Sequence, residues 1–149
     1  METNRLIDED RTALGGLLTD LKGRVTGAEH VLLATGDGLK IAWSEQDTAE
    51  AEKLAAVMTG LLSLARGAFI TSSGGVRQVV VEHDSGALFV MSAEGSAANP
   101  RLVGTLLGVL TTERADPGEV GYEMKKLIKA LEEHLTVHTR QTQPSGRGQ

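Results

Sequence analysis

The sequence contains no cysteine. A chain without thiols cannot perform thiolate catalysis, hold zinc or iron–sulfur clusters through cysteine, or form a disulfide framework, and it fits a reducing compartment. Long apolar runs are also missing: no stretch approaches the roughly 20 residues of a transmembrane helix, and residues 1–10 lack the basic-then-apolar order of a signal peptide. We therefore expect a cytoplasmic protein that does not insert into a membrane.

Aromatic residues are scarce too, and basic residues do not outnumber acidic ones. Aromatics make up 3% of the chain, and 15 Lys and Arg stand against 20 Asp and Glu, which gives a formal net charge of −5. Proteins bind nucleic acids largely through clustered basic side chains and, for single strands, through aromatic stacking platforms. We therefore expect no nucleic-acid partner.

The chain length predicts one domain. With 149 residues, 40% of them apolar, a folded chain can remove roughly 68–70% of its unfolded-state surface from water and needs no disulfide or structural metal. Large apolar side chains become scarce towards the C-terminus. We expect a domain at residues 12–136, a flexible N-terminus at 1–11 and a disordered C-terminal tail at 137–149.

Three segments carry apolar residues at the spacing of one helix face. Gly27 follows the first, a capping-box pattern at Asp47 and Glu50 begins the second, and Asp116 followed by proline begins the third. The apolar positions of these three predicted helices are Leu14, Leu17, Leu18, Leu21 and Val25; Leu54, Val57, Met58, Leu61, Leu62 and Ala65; and Val120, Met124, Leu127, Ile128, Leu131 and Leu135.

Two hairpins are predicted between the helices. Residues 30–35 and 39–44 flank Asp37-Gly38, a strong hairpin signal because such turns need a positive φ, and residues 76–82 and 87–92 flank a second polar turn. Both strands of the second hairpin are apolar at successive positions. We therefore expect these strands at the centre of the sheet, covered on both faces.

A fifth strand is expected within Leu102–Thr111, after a loop at Gly95–Pro100. The two glycines in Leu102–Thr111 make a long helix unfavourable. The predicted order is then helix, strand, strand, helix, strand, strand, strand, helix.

The second helix has two faces that can be buried. One is the apolar stripe, and the remainder is kept small by Ala51, Ala55, Ala56, Gly60 and Ala68. A helix that packs only on its own sheet usually has a charged back. The small face therefore indicates close approach of another backbone, either a second copy of the chain or another part of the same domain.

Catalytic and phosphate-binding motifs find little support. No G-x-x-x-x-G-K-[ST] string is present, and Gly36-Asp37-Gly38 and Gly74-Gly75 are better explained as turns. Ser63 lies within a predicted helix and not at a strand-to-helix elbow. His134 and His138 are four residues apart but lack the H-E-x-x-H order of a zinc site.

Four further residues have a chemical and a structural interpretation. His83 and Asp84 are either an acid–base pair or ordinary turn residues, and Arg66 and Arg77 are either catalytic arginines for a nucleotide-hydrolysing partner or interface residues. The structural interpretation is favoured for each. We therefore assign no catalytic, cofactor-binding or metal site and do not expect an enzyme.

Five strings, together with the order of elements, identify a known family. They are Asp37–Leu39, Leu54–Ala68, Gly75–Glu82, Ala87–Met91 and Val120–Met124. Between Leu14 and Leu135 the chain resembles the Roadblock/dynein-light-chain family, in particular its actinobacterial branch, encoded beside a sensor-kinase-like membrane protein and a small Ras-like GTPase. The resemblance implies an α/β (α+β), longin-like, three-layer domain with a five-stranded, mostly antiparallel sheet and helices on both faces.

The resemblance also implies a non-enzymatic homodimer that receives a small Ras-like GTPase. Its interface would combine the second helix and the third strand of each copy. The matching positions are Leu54, Val57, Met58, Leu61, Leu64, Arg66, Val76, Gln78 and Val80. Two alternatives stay open: a GTPase-activating protein for that GTPase, and a passive scaffold that tethers the sensor-kinase-like receptor.

Overall fold

The computed structural model describes the backbone of residues 2–44, 47–93 and 104–142, and the side chains of residues 12–44, 47–93 and 104–133. The order of helices and strands is the predicted one. The elements are α1 (Glu2–Arg24), β1 (Ala28–Thr35), β2 (Lys40–Trp43), α2 (Thr48–Gly67), β3 (Gln78–His83), β4 (Gly86–Ser92), β5 (Thr105–Thr112) and α3 (Pro117–Thr142).

The five strands form one sheet in the order β2-β1-β5-β4-β3, and all four neighbouring pairs are antiparallel. Both predicted hairpins are confirmed, and Gly38 has the positive φ (92°) expected in the first. The expectation that both strands of the second hairpin are central is wrong for β3, which lies at the edge. Of its three valines, Val79 packs against the α2 side of the core, whereas Val80 and Val81 are left exposed.

The sheet separates two apolar clusters, which confirms helices on both faces. On one face, α1 and α3 pack through Leu18, Leu21 and Leu127 against strand residues that include Phe89 and Leu107. On the other, α2 packs its buried residues against β1, β4 and β5. The helical periodicity of the sequence therefore has its physical cause in these two layers.

Met58 shows how closely α2 approaches the sheet. Its side chain is fully buried and lies over Gly108 of β5, where a Cβ added to the glycine would overlap the Met58 sulfur. A side chain at position 108 would therefore displace the methionine or the helix. The glycine of β5 is what admits α2 to this distance.

The helix starts are fixed by carboxylates. Asp47 Oδ1 accepts hydrogen bonds from the amides of Ala49 (3.0 Å) and Glu50 (3.3 Å), which confirms the predicted N-cap of α2. Glu119, in the first turn of α3, accepts from the amide of Thr26 at 3.3 Å. The beginning of α3 is thereby held beside the end of α1.

The terminal helices differ in length from the apolar pattern. The backbone of α1 is helical from Glu2, well before the first apolar position, Leu14. The backbone of α3 is helical as far as Thr142, beyond the last apolar position, Leu135. No glycine or proline in residues 2–13 or 136–142 interrupts a helix. The division into a domain at 12–136 and two unstructured ends stays a prediction, and the expected loop at Gly95–Pro100 lies outside the described residues.

Within the part of the chain that the structure describes, no helix combines the length and the apolar character needed to span a bilayer.

Candidate protein-interaction surface

The outward side of α2 is small and apolar. Sheet contact is made by Ala51, Ala55, Met58 and Leu62, so the opposite side is free of the core. The exposed residues along that side are Lys53, Ala56, Val57, Gly60, Ser63, Leu64 and Gly67, of which Lys53 alone is charged. Leu64 is 78% exposed. A second backbone can approach this helix face closely because few large side chains stand in the way.

The candidate residues predicted on α2 do not share one side of the helix. Val57 and Leu64 lie on the outward side, whereas Leu54 and Leu61 are half-buried and pack against the α2 cluster of the core. Met58 is a core residue of the protomer, because its side chain fills the space over Gly108. This corrects the expected place of Met58 in the interface, because its side chain packs between α2 and the sheet.

The β3 strand offers an open edge to a partner. Among the described strands it pairs with β4 alone. The amide of Ser92 donates to the carbonyl oxygen of Arg77 at 3.0 Å, which sets the alternation of the ladder. Because of this alternation, the N–H and C=O groups of Val79 and Val81 point to β4. Those of Gln78, Val80 and Glu82 point away from the sheet. An edge of this kind is a template for another strand.

Two valines of β3 are exposed on opposite faces of the sheet. Val80 stands opposite Phe89, on the side of α1 and α3, and is 44% exposed; Val81 stands opposite Leu88, on the side of α2, and is 40% exposed. Apolar side chains on both faces of an edge strand are characteristic of a strand that is covered in an assembly.

The candidate residues around β3 also divide between the two faces. Val76 packs against the α2 cluster, whereas Gln78 stands opposite Met91 and so lies on the face of α1 and α3, together with Val80. The nine candidate positions therefore lie on both faces of the sheet and do not form a single flat patch.

The loop between α2 and β3 adds apolar residues that the sequence analysis missed. Phe69 and Ile70 are both exposed, Ile70 by 84%. With Arg66, Val76 and Gln78 they line one open groove that joins the end of α2 to the start of β3. The sequence signal for them was a pair of large apolar residues just before the polar Thr71–Gly75 segment. Neither residue belongs to a helical or strand period.

A second apolar groove lies on the far side of α2. It is a cavity of about 240 Å³ between the helix and the sheet, lined by His30, Trp43, Leu54, Val57 and Leu110 among others, with Glu50 and Lys53 at the helix. His30, Trp43 and Leu110 were not among the candidate residues predicted from the sequence. The arrangement suits an apolar side chain of a partner, fixed by polar groups at its rim.

A charged contact lies beside the groove. Lys40 Nζ lies 2.9 Å from Glu52 Oε1 and 5.1 Å from the centroid of the Trp43 ring. The lysine thus links β2 to α2 and lies over the indole beside the cavity.

Among the described residues, those considered for chemistry do not come together in one site. His83 Nδ1 accepts from the amide of Ser85 at 3.1 Å, a contact that belongs to the β3–β4 turn. Arg66 and Arg77 are exposed beside the loop groove, and Ser63 is exposed on α2. In the described ranges no cluster of three or more His, Asp or Glu is placed to hold a metal ion. The side chains of His134 and His138 lie outside these ranges.

Comparisons with known proteins agree with this architecture. A family model described as the Roadblock/LC7 domain matches residues 14–98. A solved Roadblock/LC7 domain from Streptomyces avermitilis is 40% identical, covers 82% of this chain and 97% of that chain, and superposes with a TM-score of 0.71. Another from the same organism is 34% identical, with coverages of 78% and 96% and a TM-score of 0.61.

A more distant match shows the fold alone. MglB from Myxococcus xanthus is 17% identical, covers 85% of this chain and 97% of that chain, and has a TM-score of 0.67. Comparison with curated proteins gave no significant match.

Proposed function

Because the chain belongs to the Roadblock/LC7 domain family, we propose that it is a non-enzymatic homodimeric regulator that binds a small Ras-like GTPase in a bacterial signalling complex. The proposal of a GTPase partner is supported by the family resemblance. The homodimer has independent support in the described surface.

The observation that carries the homodimer is the meeting of two unpartnered features at one side of the molecule. The outward backbone groups of β3 and the small face of α2 are joined by the exposed loop that holds Phe69 and Ile70. A second copy satisfies the strand edge with the same edge and the helix face with the same face, as a two-fold symmetric interface requires. Light scattering at micromolar concentration tests this: a dimer mass is expected, and a clean monomer mass contradicts it.

The GTPase is proposed to contact the dimer at the groove beside α2. The supporting observation is an apolar cavity beside α2 whose lining includes Trp43 and Lys53. Large aromatic and aliphatic side chains in such cavities commonly carry most of the binding energy of an interface.

The decisive binding experiment starts from native cytosol. The tagged protein is captured, the proteins recovered in stoichiometric amount are identified by mass spectrometry, and the purified candidate is titrated in its GDP and GTP forms. A small P-loop GTPase is expected, and its affinity should fall at least tenfold for Lys53→Glu but stay unchanged for Lys126→Glu. Lys126 is a matched control because it is exposed on α3, on the opposite face of the sheet. Equal loss in both variants removes the groove from the proposal.

Two other functions are separated by further measurements. For a GTPase-activating protein, hydrolysis by the partner must accelerate when binding is saturated; an unchanged rate excludes activation and leaves the regulator. For a passive scaffold, capture must return a sensor-kinase-like membrane protein whose binding does not depend on the GTPase.

A further inference from the structure

We propose that a groove between the start of β3 and the outer flank of α3 binds an acidic segment of a partner protein. This α3 groove lies on the sheet face of α1 and α3, and no residue of α2 is among its described lining. It shares Arg77 and Gln78 with the loop groove and nothing with the cavity beside Trp43. An occupant of the α3 groove therefore needs neither the homodimer nor the GTPase.

Six described side chains line the α3 groove, which has a volume of about 340 Å³. Two are cations, two are uncharged polar groups and two are apolar: Arg77, Lys125, Gln78, Ser92, Met91 and Ile128. No Asp or Glu is among them, although the whole chain has 20 acidic residues and a net charge of −5. The groove therefore carries the sign of charge that the chain has less of.

The pairing of β3 with β4 holds one wall and the floor. The amide of Ser92 donates to the carbonyl oxygen of Arg77 at 3.0 Å, and Gln78 stands opposite Met91. Met91 is buried in the core cluster that α1 and α3 cover. The backbone of Arg77 is thereby held at the sheet edge, directly before the strand begins.

The other wall is supplied by α3. Met124 and Leu127 fix this helix on the sheet, and both are buried. Lys125 and Ile128 each follow one of these core residues and are three positions apart, so they lie on one flank of the helix. Lys125 is exposed, whereas Ile128 is half-buried against the core. Each wall thus places a cation beside an apolar side chain.

The two cations are not neutralised within the described part of the chain. Arg77 and Lys125 form no ion pair there. Glu132, the next acid on the same side of α3, is one turn beyond Ile128 and does not line the groove. A cleft whose charges have one sign and whose walls are apolar concentrates the electric field inside it. The complementary occupant is an anion.

The apolar residues decide which class of anion fits. A free phosphate gains no contact from Met91 and Ile128, whereas a polypeptide can place an apolar side chain between two carboxylates. Carboxylates also accept hydrogen bonds from arginine, lysine and the amide of Gln78. A lipid surface is too flat to enter a groove, and a single nucleic-acid strand finds no aromatic platform in the lining. An acidic protein segment that contains apolar residues matches all six side chains.

Fluorescence anisotropy with a labelled peptide tests this assignment. The probe is a short glutamate peptide with leucine at every third position. It is titrated with the full-length protein at about 0.15 M salt, where interactions beyond about 8 Å are largely screened. We expect saturable binding, and none when glutamine replaces glutamate in the probe.

Charge reversal at the groove should weaken this binding about tenfold, because each attraction becomes a repulsion. The variants are Arg77→Glu and Lys125→Glu; both side chains are exposed, so both variants are expected to fold. Lys125→Arg keeps the charge and should bind as the wild type does. Arg114→Glu is the matched control, expected to stay within about twofold. Arg114 is exposed and follows the end of β5, which pairs with the start of β4, at the opposite end of the sheet from Ser92.

Two results would overturn the assignment. Equal weakening by Arg114→Glu and by the groove variants would mean that the peptide responds to net charge alone. Absence of saturable peptide binding also overturns it, and binding of inorganic phosphate or phosphatidylserine vesicles in its place would transfer the groove to a phosphate or a lipid headgroup. Light scattering on each protein keeps this result apart from the homodimer: a monomer that binds the peptide through Arg77 and Lys125 contradicts only the homodimer.

Discussion

Met58 and Gly108 determine how α2 meets the sheet. The fully buried methionine lies over a residue that has no side chain, and the surrounding positions on α2 are alanines or leucines already in contact with strands. Close packing of this kind leaves no free volume into which an added methyl group can move. The position of α2, and with it the groove beside Trp43, therefore depends on a glycine in the sheet.

Gly108→Ala is expected to lower the free energy of unfolding by about 1–3 kcal/mol, the usual cost of overpacking a core. Denaturant unfolding at fixed protein concentration measures it. Gly121→Ala is the matched control, because a Cβ there meets nothing within 4 Å and alanine favours the helix by about 0.5–1 kcal/mol. Equal stability of the two variants would show that α2 adjusts freely over the sheet.

At the scale of elements, the two surfaces of α2 have different consequences when they are changed. Leu61 is half-buried, so a charge there disturbs both the protomer core and any interface. Leu64 is 78% exposed, and a charge there leaves the protomer core intact. Only the exposed position reports on association alone.

Leu64→Asp is therefore expected to separate the dimer without unfolding it. Each buried leucine contributes about 1.5–3 kcal/mol, and two are affected per dimer, so the dissociation constant should rise roughly 100-fold or more. Light scattering and circular dichroism measure mass and folding. Leu39→Asp is the control: Leu39 is 64% exposed beside β2, at the opposite edge of the sheet. A dimer that survives Leu64→Asp refutes the role of this helix face.

The edge strand allows a test through its backbone. Proline lacks an N–H, and it is tolerated on edge strands where that N–H faces outward. Val80→Pro should therefore leave a folded monomer, while Val79→Pro, which removes a bond to β4, should lower the melting temperature. Scattering and thermal melts distinguish the two. The proposed edge pairing fails if Val80→Pro dimerises as the wild-type chain does.

At the scale of the molecule, the sequence predicted what a single chain buries. The helical stripes, the two hairpins and the fifth strand follow from side chains packed in two layers, and the family is confirmed by its model and by the 40% identical domain. The edge position of β3 was mispredicted because successive apolar residues in a strand look alike whether a helix or another molecule covers them. Phe69 and Ile70 escaped prediction because two residues in a loop have no period.

Coverage of β3 and α2 by a second copy has a thermodynamic consequence that can be measured on the wild-type chain. If β3 and α2 are buried only in a dimer, unfolding is coupled to dissociation, and each tenfold rise in concentration stabilises the dimer by about 1.4 kcal/mol. Spread over the unfolding entropy of two chains, this raises the melting temperature by about 2 °C per tenfold. Calorimetry over a hundredfold range should show the shift in wild-type and Leu39→Asp protein and its loss in Leu64→Asp. A melting temperature independent of concentration in all three would mean that the edge is stable without a second copy.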